Sequence, residues 1–149
     1  MNWEKLIQEN RPLVITGTIN AYSALLAERA GIKAIYLSGG GVANASYGLP
    51  DLAMTSREDV LEDVRRIRSA SELPLLVDID TGWGSALAIS RSIKEMISAG
   101  ASGVHIEDQV SEKRCGHRPN KEIVSCEEMV DRIKAAKDAK TDDNFLLMA

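Results

Sequence analysis

Short apolar runs alternate with amphipathic helical stretches five times along this chain. Leu13-Val14-Ile15-Thr16, Ala34-Ile35-Tyr36-Leu37-Ser38, Leu75-Leu76-Val77-Asp78-Ile79-Asp80, Gly103-Val104-His105-Ile106-Glu107 and Asn144-Phe145-Leu146-Leu147-Met148-Ala149 read as strands by length and apolar content. The stretches between them carry helix signals. Asn20 is an N-cap for a helix over Ala21 to Ala30, and Gly31 follows where a left-handed residue ends it. Ser56, with Asp59 three on, opens a helix to Ser69 whose apolar face is Val60, Leu61, Val64 and Ile67. Ser85 opens the next, and Gly100 follows its end. Ser125 and Glu128 open one over Glu127 to about Lys140. Trp3 to Glu9 reads as a short lead-in helix, and Gly39 to Thr55 as a long polar loop. Such alternation predicts a parallel sheet covered by helices, as a doubly wound sheet or as a (β/α) barrel. Both build their sites at the C-terminal ends of strands. Ser38-Gly39-Gly40, Asp78-Ile79-Asp80 and Glu107-Asp108 all fall there.

The totals exclude several classes. A chain of 149 residues holds one domain with a real core. Its net charge of -4 argues against a nucleic-acid partner, which needs clustered Lys and Arg beyond one short loop. No stretch approaches a membrane span, and no long apolar run follows Met1-Asn2-Trp3-Glu4-Lys5. Cys115 and Cys126 read as free thiols in a reducing, cytoplasmic setting.

Asp78 and Asp80 are two apart on a strand, so both face one side. Buried carboxylates are costly unless a cation or donors meet them, and paired oxygens with room for water suit Mg²⁺. The competing reading makes Asp80 a cap for the turn at Thr81-Gly82. Glycines in Ser38-Gly39-Gly40 let backbone N–H groups approach an anion, or simply form a tight turn. Tyr36 shares the face of Ser38, where it either contacts substrate or fills the core. His105, between apolar neighbours, reads as a hydrogen-bonded supporting residue. Cys126 reads as structural, Trp83 as loop support, and Arg65, Arg66 and Arg68 as a solvated helix face. The stretch Lys113-Arg114-Cys115-Gly116-His117-Arg118-Pro119-Asn120-Lys121 sets cations around a thiol and an imidazole. It is either a mobile catalytic loop, with a thiol tuned by charge, or a basic surface turn.

Lys113 to His117 resembles the KRCGH loop of the isocitrate lyase and phosphoenolpyruvate mutase superfamily. Tyr36 to Gly41, Val77 to Gly82 and His105 to Gln109 resemble other parts of the same family, from about Pro12 to the last residue. The loop, through His117-Arg118-Pro119-Asn120-Lys121, is most similar to those lyases that act on 2-methylisocitrate. The resemblance implies an α/β fold of TIM-type (β/α) barrel form. It implies Mg²⁺ at Asp78 and Asp80, with Asp51 and Glu107 acting through water. A substrate carboxylate would lie on Ser38, Gly39 and Gly40, near Tyr36, Cys115 and Gly116. Cys115 would be the general acid, with His117 and Lys113 tuning it and neutralising charge. The implied activity is carbon–carbon cleavage of a small acid, 2-methylisocitrate, to pyruvate and succinate in propionate breakdown, by a homotetramer. Isocitrate cleavage, phosphonate or oxaloacetate chemistry, and a non-catalytic half-barrel are the alternatives. A barrel of this kind has eight strands and typically about 250 residues. The five strands here predict an incomplete barrel, residues 1–149 being the N-terminal part of a longer enzyme, inactive alone.

Overall fold

The computed structural model describes residues 2–149. Strands β1 (Ile15–Gly17), β2 (Ala34–Leu37), β3 (Leu75–Asp78), β4 (Gly103–His105) and β5 (Leu146–Met148) form one parallel sheet in the order β1-β2-β3-β4-β5. That order separates the two architectures. A doubly wound sheet reverses its strand order at a switch point, whereas here each strand pairs with the next. Right-handed crossovers then place all the intervening helices on one face, which makes an arc of a singly wound barrel.

The helices form where local signals place them. α2 (Ala21–Arg29) and α4 (Arg57–Arg68) begin with reciprocal capping boxes, at Asn20 with Ser23 and at Ser56 with Asp59. α5 (Ala86–Ser98) follows Ser85, and α6 (Cys126–Ala139) is capped by Ser125, whose hydroxyl accepts from Glu128 N–H at 3.2 Å. Alternate strand residues Ile35, Leu37, Leu75, Val77, Ile79, Val104 and Ile106 are buried against Val60, Val64, Ile67, Ile89, Ile93 and Met96 of the helices. Each full burial of this kind stabilises by about 1.5–3 kcal/mol. The opposite set, including Leu76, Tyr36, Asp78 and His105, faces the concave side. There α1 (Trp3–Glu9) closes the N-terminal end of the arc. Trp3 packs with Ala34 and Leu76, and its indole Nε1–H donates to the Ser102 carbonyl at 2.8 Å. No helix among the described residues is long and apolar enough to cross a membrane.

Three expectations are corrected. β1 starts at Ile15 rather than Leu13, and β3 and β4 leave the ladder before Asp80 and Glu107. Those residues still bond across the gap, with Glu107 N–H donating to Asp80 C=O at 2.9 Å. The polar loop from Gly39 is in part helical: a single turn α3 (Gly39–Gly41) runs into a π-helical turn, Val42–Ser46, with Val42 and Ala43 buried. A triple glycine carries no helix signal; here Ser38 caps the turn and Val42 anchors it. Arg68 is not a solvated residue, since it folds back to donate to the Ser71 and Leu73 carbonyls beyond α4, both at 2.8 Å.

Candidate active site

The C-terminal strand ends gather four carboxylates and the basic loop. Asp78, at the end of β3, accepts from two backbone donors: Gly39 N–H at 3.1 Å and Asp80 N–H at 3.0 Å. These bonds fix its orientation. Asp80 begins a turn in which it, Gly82, Trp83 and Gly84 all have positive φ. An aspartate tolerates that conformation better than most residues. The turn is closed by Gly82 N–H to Ile79 C=O at 2.8 Å, so the Asp80 side chain is not its cap. Instead the side chain is buried and faces Lys113. Trp83 supports this turn, its indole N–H donating to the Thr55 carbonyl at 3.2 Å.

The glycines are there for space. A Cβ on Gly39 would lie 2.8 Å from Asp80 Oδ1 and 3.4 Å from Asp78 Oδ2. One on Gly40 would lie 3.0 Å from Asp51 Oδ2. The bare backbone of β2's end is thereby pressed onto three carboxylates. Ser38 Oγ accepts from Gly41 N–H at 3.3 Å, so the turn-forming role is also real. Tyr36 stands beside Asp78. Burial, then the charge of Asp78, holds its hydroxyl well above the ordinary tyrosine range.

Lys113 is the buried cation among them. Its ammonium lies 2.5 Å from Asp51 Oδ1 and 2.7 Å from Asp80 Oδ1, with the side chain only 4% exposed. Burial alone would lower its pKa; the hydrogen bond to Asp51 and the negative charges of Asp51 and Asp80 outweigh it and hold Lys113 above the ordinary lysine range. Burial, with the charge of Asp78 beside it, pushes Asp80 up from 3.8 to about 6, against the pull of Lys113. Glu107 is likewise raised by burial, partly offset by its hydrogen bond from Gln109.

The loop after β4 is closed at its base. Gln109 pairs with Ile123, Val110 N–H donates to Glu122 C=O at 3.1 Å, and Val124 N–H to Asp108 C=O at 2.8 Å. Buried Gln109 fastens it from within: its amide donates to Glu107 Oε2 at 3.2 Å and to Arg114 C=O at 2.9 Å, and accepts from Arg114 N–H at 3.3 Å. Arg132 of α6 donates to the Gln109 carbonyl at 2.8 Å and pairs with Glu128. Gln109 lay in a resembling segment but carried no role, and Arg132 gave no signal beyond its spacing from Glu128.

Cys115 N–H donates to the Asp51 carbonyl at 3.1 Å, and its thiol, half-buried, lines a hollow of about 310 Å³ with Asp51, Asn44 and Arg118. His117 Nδ1 is 3.7 Å from Cys115 Sγ and exposed to solvent. Gly116 is exposed, with open space around it. His105 Nδ1 lies 4.0 Å from Asp78 Oδ1, beyond hydrogen-bonding distance, so the hydrogen bond expected of it is not made to that carboxylate. Cys126 is exposed at the start of α6. Asp51, Asp78, Asp80 and Lys113 thus come together, with Glu107 and Cys115 tied in at the edge. Lys113 reaches the carboxylates rather than being held against the thiol.

The donor set suits a hard divalent cation. The side-chain oxygens gathered here are carboxylates, with the Lys113 ammonium among them. Glu107 Oε1 is buried without a donor. Asp80 Oδ1 has the Lys113 ammonium nearby but not in hydrogen-bonding alignment. Among the described residues no group of three or more His, Cys, Asp or Glu side chains is placed to hold a metal ion.

Comparison with known proteins agrees with this geometry. The chain is 64% identical over all 149 residues to a 2-methylisocitrate lyase of Shewanella oneidensis, covering 51% of it. It spans about half the length of the curated relatives it matches. Among solved structures, oxaloacetate acetylhydrolase in complex with 3,3-difluorooxalacetate superposes with a TM-score of 0.86 at 34% identity, over 91% of this chain and 47% of that one. Phosphonopyruvate hydrolase complexed with oxalate and Mg²⁺ does so with a TM-score of 0.78 at 34% identity, over 89% and 45%. Residues 3–149 match the phosphoenolpyruvate phosphomutase family, and with its sequential parallel strands and carboxylate-lined strand ends this chain belongs to that family.

Proposed function

We propose that the protein of which this chain forms the β1–β5 arc is a Mg²⁺-dependent carbon–carbon lyase that splits 2-methylisocitrate into pyruvate and succinate. The observation that carries it is the Cys-Gly-His loop bonded onto the carboxylate cluster, through Cys115 N–H and Asp51 C=O, in a chain 64% identical to a 2-methylisocitrate lyase.

Asp78 and Asp80 would hold Mg²⁺, with Asp51 and Glu107 bonded to its waters. When bound, the ion supplies positive charge to the hydroxy-acid half of the substrate and to the negative charge that grows there. Ser38, Gly40 and the Tyr36 hydroxyl would receive a substrate carboxylate beside Gly39, whose own N–H is donated to Asp78. Cleavage begins with loss of the hydroxyl proton. The C–C bond then breaks, its electron pair passing to the succinate carbon while the C–O bond becomes the pyruvate carbonyl. Cys115 gives its S–H proton to that carbon, and the proton taken from the hydroxyl restores the thiol. His117, 3.7 Å from the sulfur, orients and recharges it. The loop excludes water from the carbanion.

Turnover followed by pyruvate release from 2-methylisocitrate with Mg²⁺ tests this. Cys115→Ser should lower kcat by about 10²–10⁴-fold, the usual worth of a positioned proton donor, while leaving pyruvate binding intact. Equal or better turnover of isocitrate or oxaloacetate would move the assignment to a sister reaction.

A further inference from the structure

The Lys113 ammonium sits on the inward oxygens of Asp51 and Asp80, at 2.5 and 2.7 Å. Those two carboxylates belong to the cluster read above as the Mg²⁺ site. Two cations cannot share the same oxygens at these distances without strong repulsion. Lys113 also belongs to the segment that carries Cys115, only two residues away. The same segment reaches the cluster a second time, through Cys115 N–H to Asp51 C=O at 3.1 Å. Arg114, between Lys113 and Cys115, is held by Gln109 through both its N–H and its C=O, so the lysine and the thiol are carried on one backbone segment fixed at that residue.

We infer that Lys113 is a positioning residue that acts as a tethered cation: it competes with the divalent ion for Asp51 and Asp80, so that binding the ion displaces Lys113 and resets the position of Cys115. The inference rests on the Mg²⁺ reading of these carboxylates. Two consequences follow from charge and tether alone. Without the ammonium, Asp51 and Asp80 face each other with a larger unbalanced negative charge, so the site binds a divalent ion more tightly. With the ammonium in place, metal occupancy is transmitted to the thiol.

The test uses metal binding and thiol labelling rather than turnover. Mn²⁺ and Mg²⁺ affinities are measured by calorimetry for the native protein, for Lys113→Met, which keeps the buried alkyl stem, and for Asp78→Asn. Lys113→Met should bind about tenfold more tightly or better, the effect of removing one close competing charge. In a Cys126→Ser background, addition of metal should change the alkylation rate of Cys115 several-fold in the native protein and not in Lys113→Met. Equal or weaker metal binding by Lys113→Met overturns the inference while leaving the metal site standing. No metal binding by the native protein, or binding indifferent to Asp78→Asn, overturns the metal reading and this inference with it. If Lys113→Met fails to fold, the alkylation titration of the native protein decides: a Cys115 rate that ignores metal overturns the coupling.

Discussion

Asp80 sits between opposing pulls, burial and Asp78 favouring its protonated form and Lys113 its charged one. Its carboxyl is buried and raised from 3.8 to about 6, so the folded state holds its proton more tightly than the unfolded chain does. The sign of the linkage follows: between pH 4 and 6 the folded state binds more protons, and stability falls as pH rises through that window. The shift is worth about 2–3 kcal/mol. Denaturant unfolding in the presence of a chelator should show the native protein losing this amount relative to Asp80→Asn between pH 4 and pH 7. A difference that is flat with pH would mean that Asp80 is ionised throughout. Gly39 makes the companion prediction. Gly39→Ala would drive a methyl to 2.8 Å from Asp80 Oδ1 and should cost about 1–3 kcal/mol and displace the carboxylates, read as weakened metal binding. At this scale the sequence was informative where spacing is local. A Ser-Gly-Gly run after a strand points to close backbone approach, as Gly39 and Gly40 show; the two-residue spacing of Asp78 and Asp80 does not act through strand alternation, because Asp80 lies past the end of β3 with a positive φ, and the turn brings the two carboxylates together. The lysine's partners were not legible. Lys113 and Asp51 are 62 residues apart, and nothing local to either says that one cation will sit between Asp51 and Asp80.

The elements differ in how firmly they are held. α2, α4 and α6 were readable because their caps are encoded within four residues. The stretch after β2 was not, since its single turn and π-helical turn depend on Val42 and Ala43 finding the core and on Asp51 lying against Gly40. The loop after β4 is the element on which catalysis would turn. Its base is tied by Gln109 and Arg132, while Gly116 to Asn120 are exposed. The chain should therefore move at the tip and not at the base. Gln109→Leu would leave the Arg114 N–H and C=O and Glu107 Oε2 without their amide partner, a cost of about 1–3 kcal/mol for buried groups. The expected outcome is faster hydrogen exchange confined to residues 109–124, with the sheet unchanged. Protection lost evenly across the sheet instead would show that Gln109 supports the whole fold.

Strand order is the property of the whole molecule that alternation of strands and helices cannot reveal, because pairing is not local. The order β1-β2-β3-β4-β5 makes the arc of a barrel, and it leaves β1 and β5 with one unpaired edge each among the described residues. Its concave side shows partly exposed apolar groups, Ile15, Leu146 and Met148, the last 39% exposed. Unpaired parallel edges beside such a surface are templates for further pairing. A 149-residue chain studied by itself should therefore associate progressively with concentration in sedimentation velocity. Met148→Lys, which puts a charge on the β5 edge, should reduce that association. A chain that supplies the remaining strands of an eight-stranded barrel should sediment as one species of fixed size, and the proposed lyase turnover should appear with it, since a substrate bound as proposed at the ends of β2 and β3 would need walls on every side to exclude water. The two properties are linked by the same geometry. A discrete 16.2 kDa monomer with full pyruvate-forming activity would break that link and show that five strands suffice.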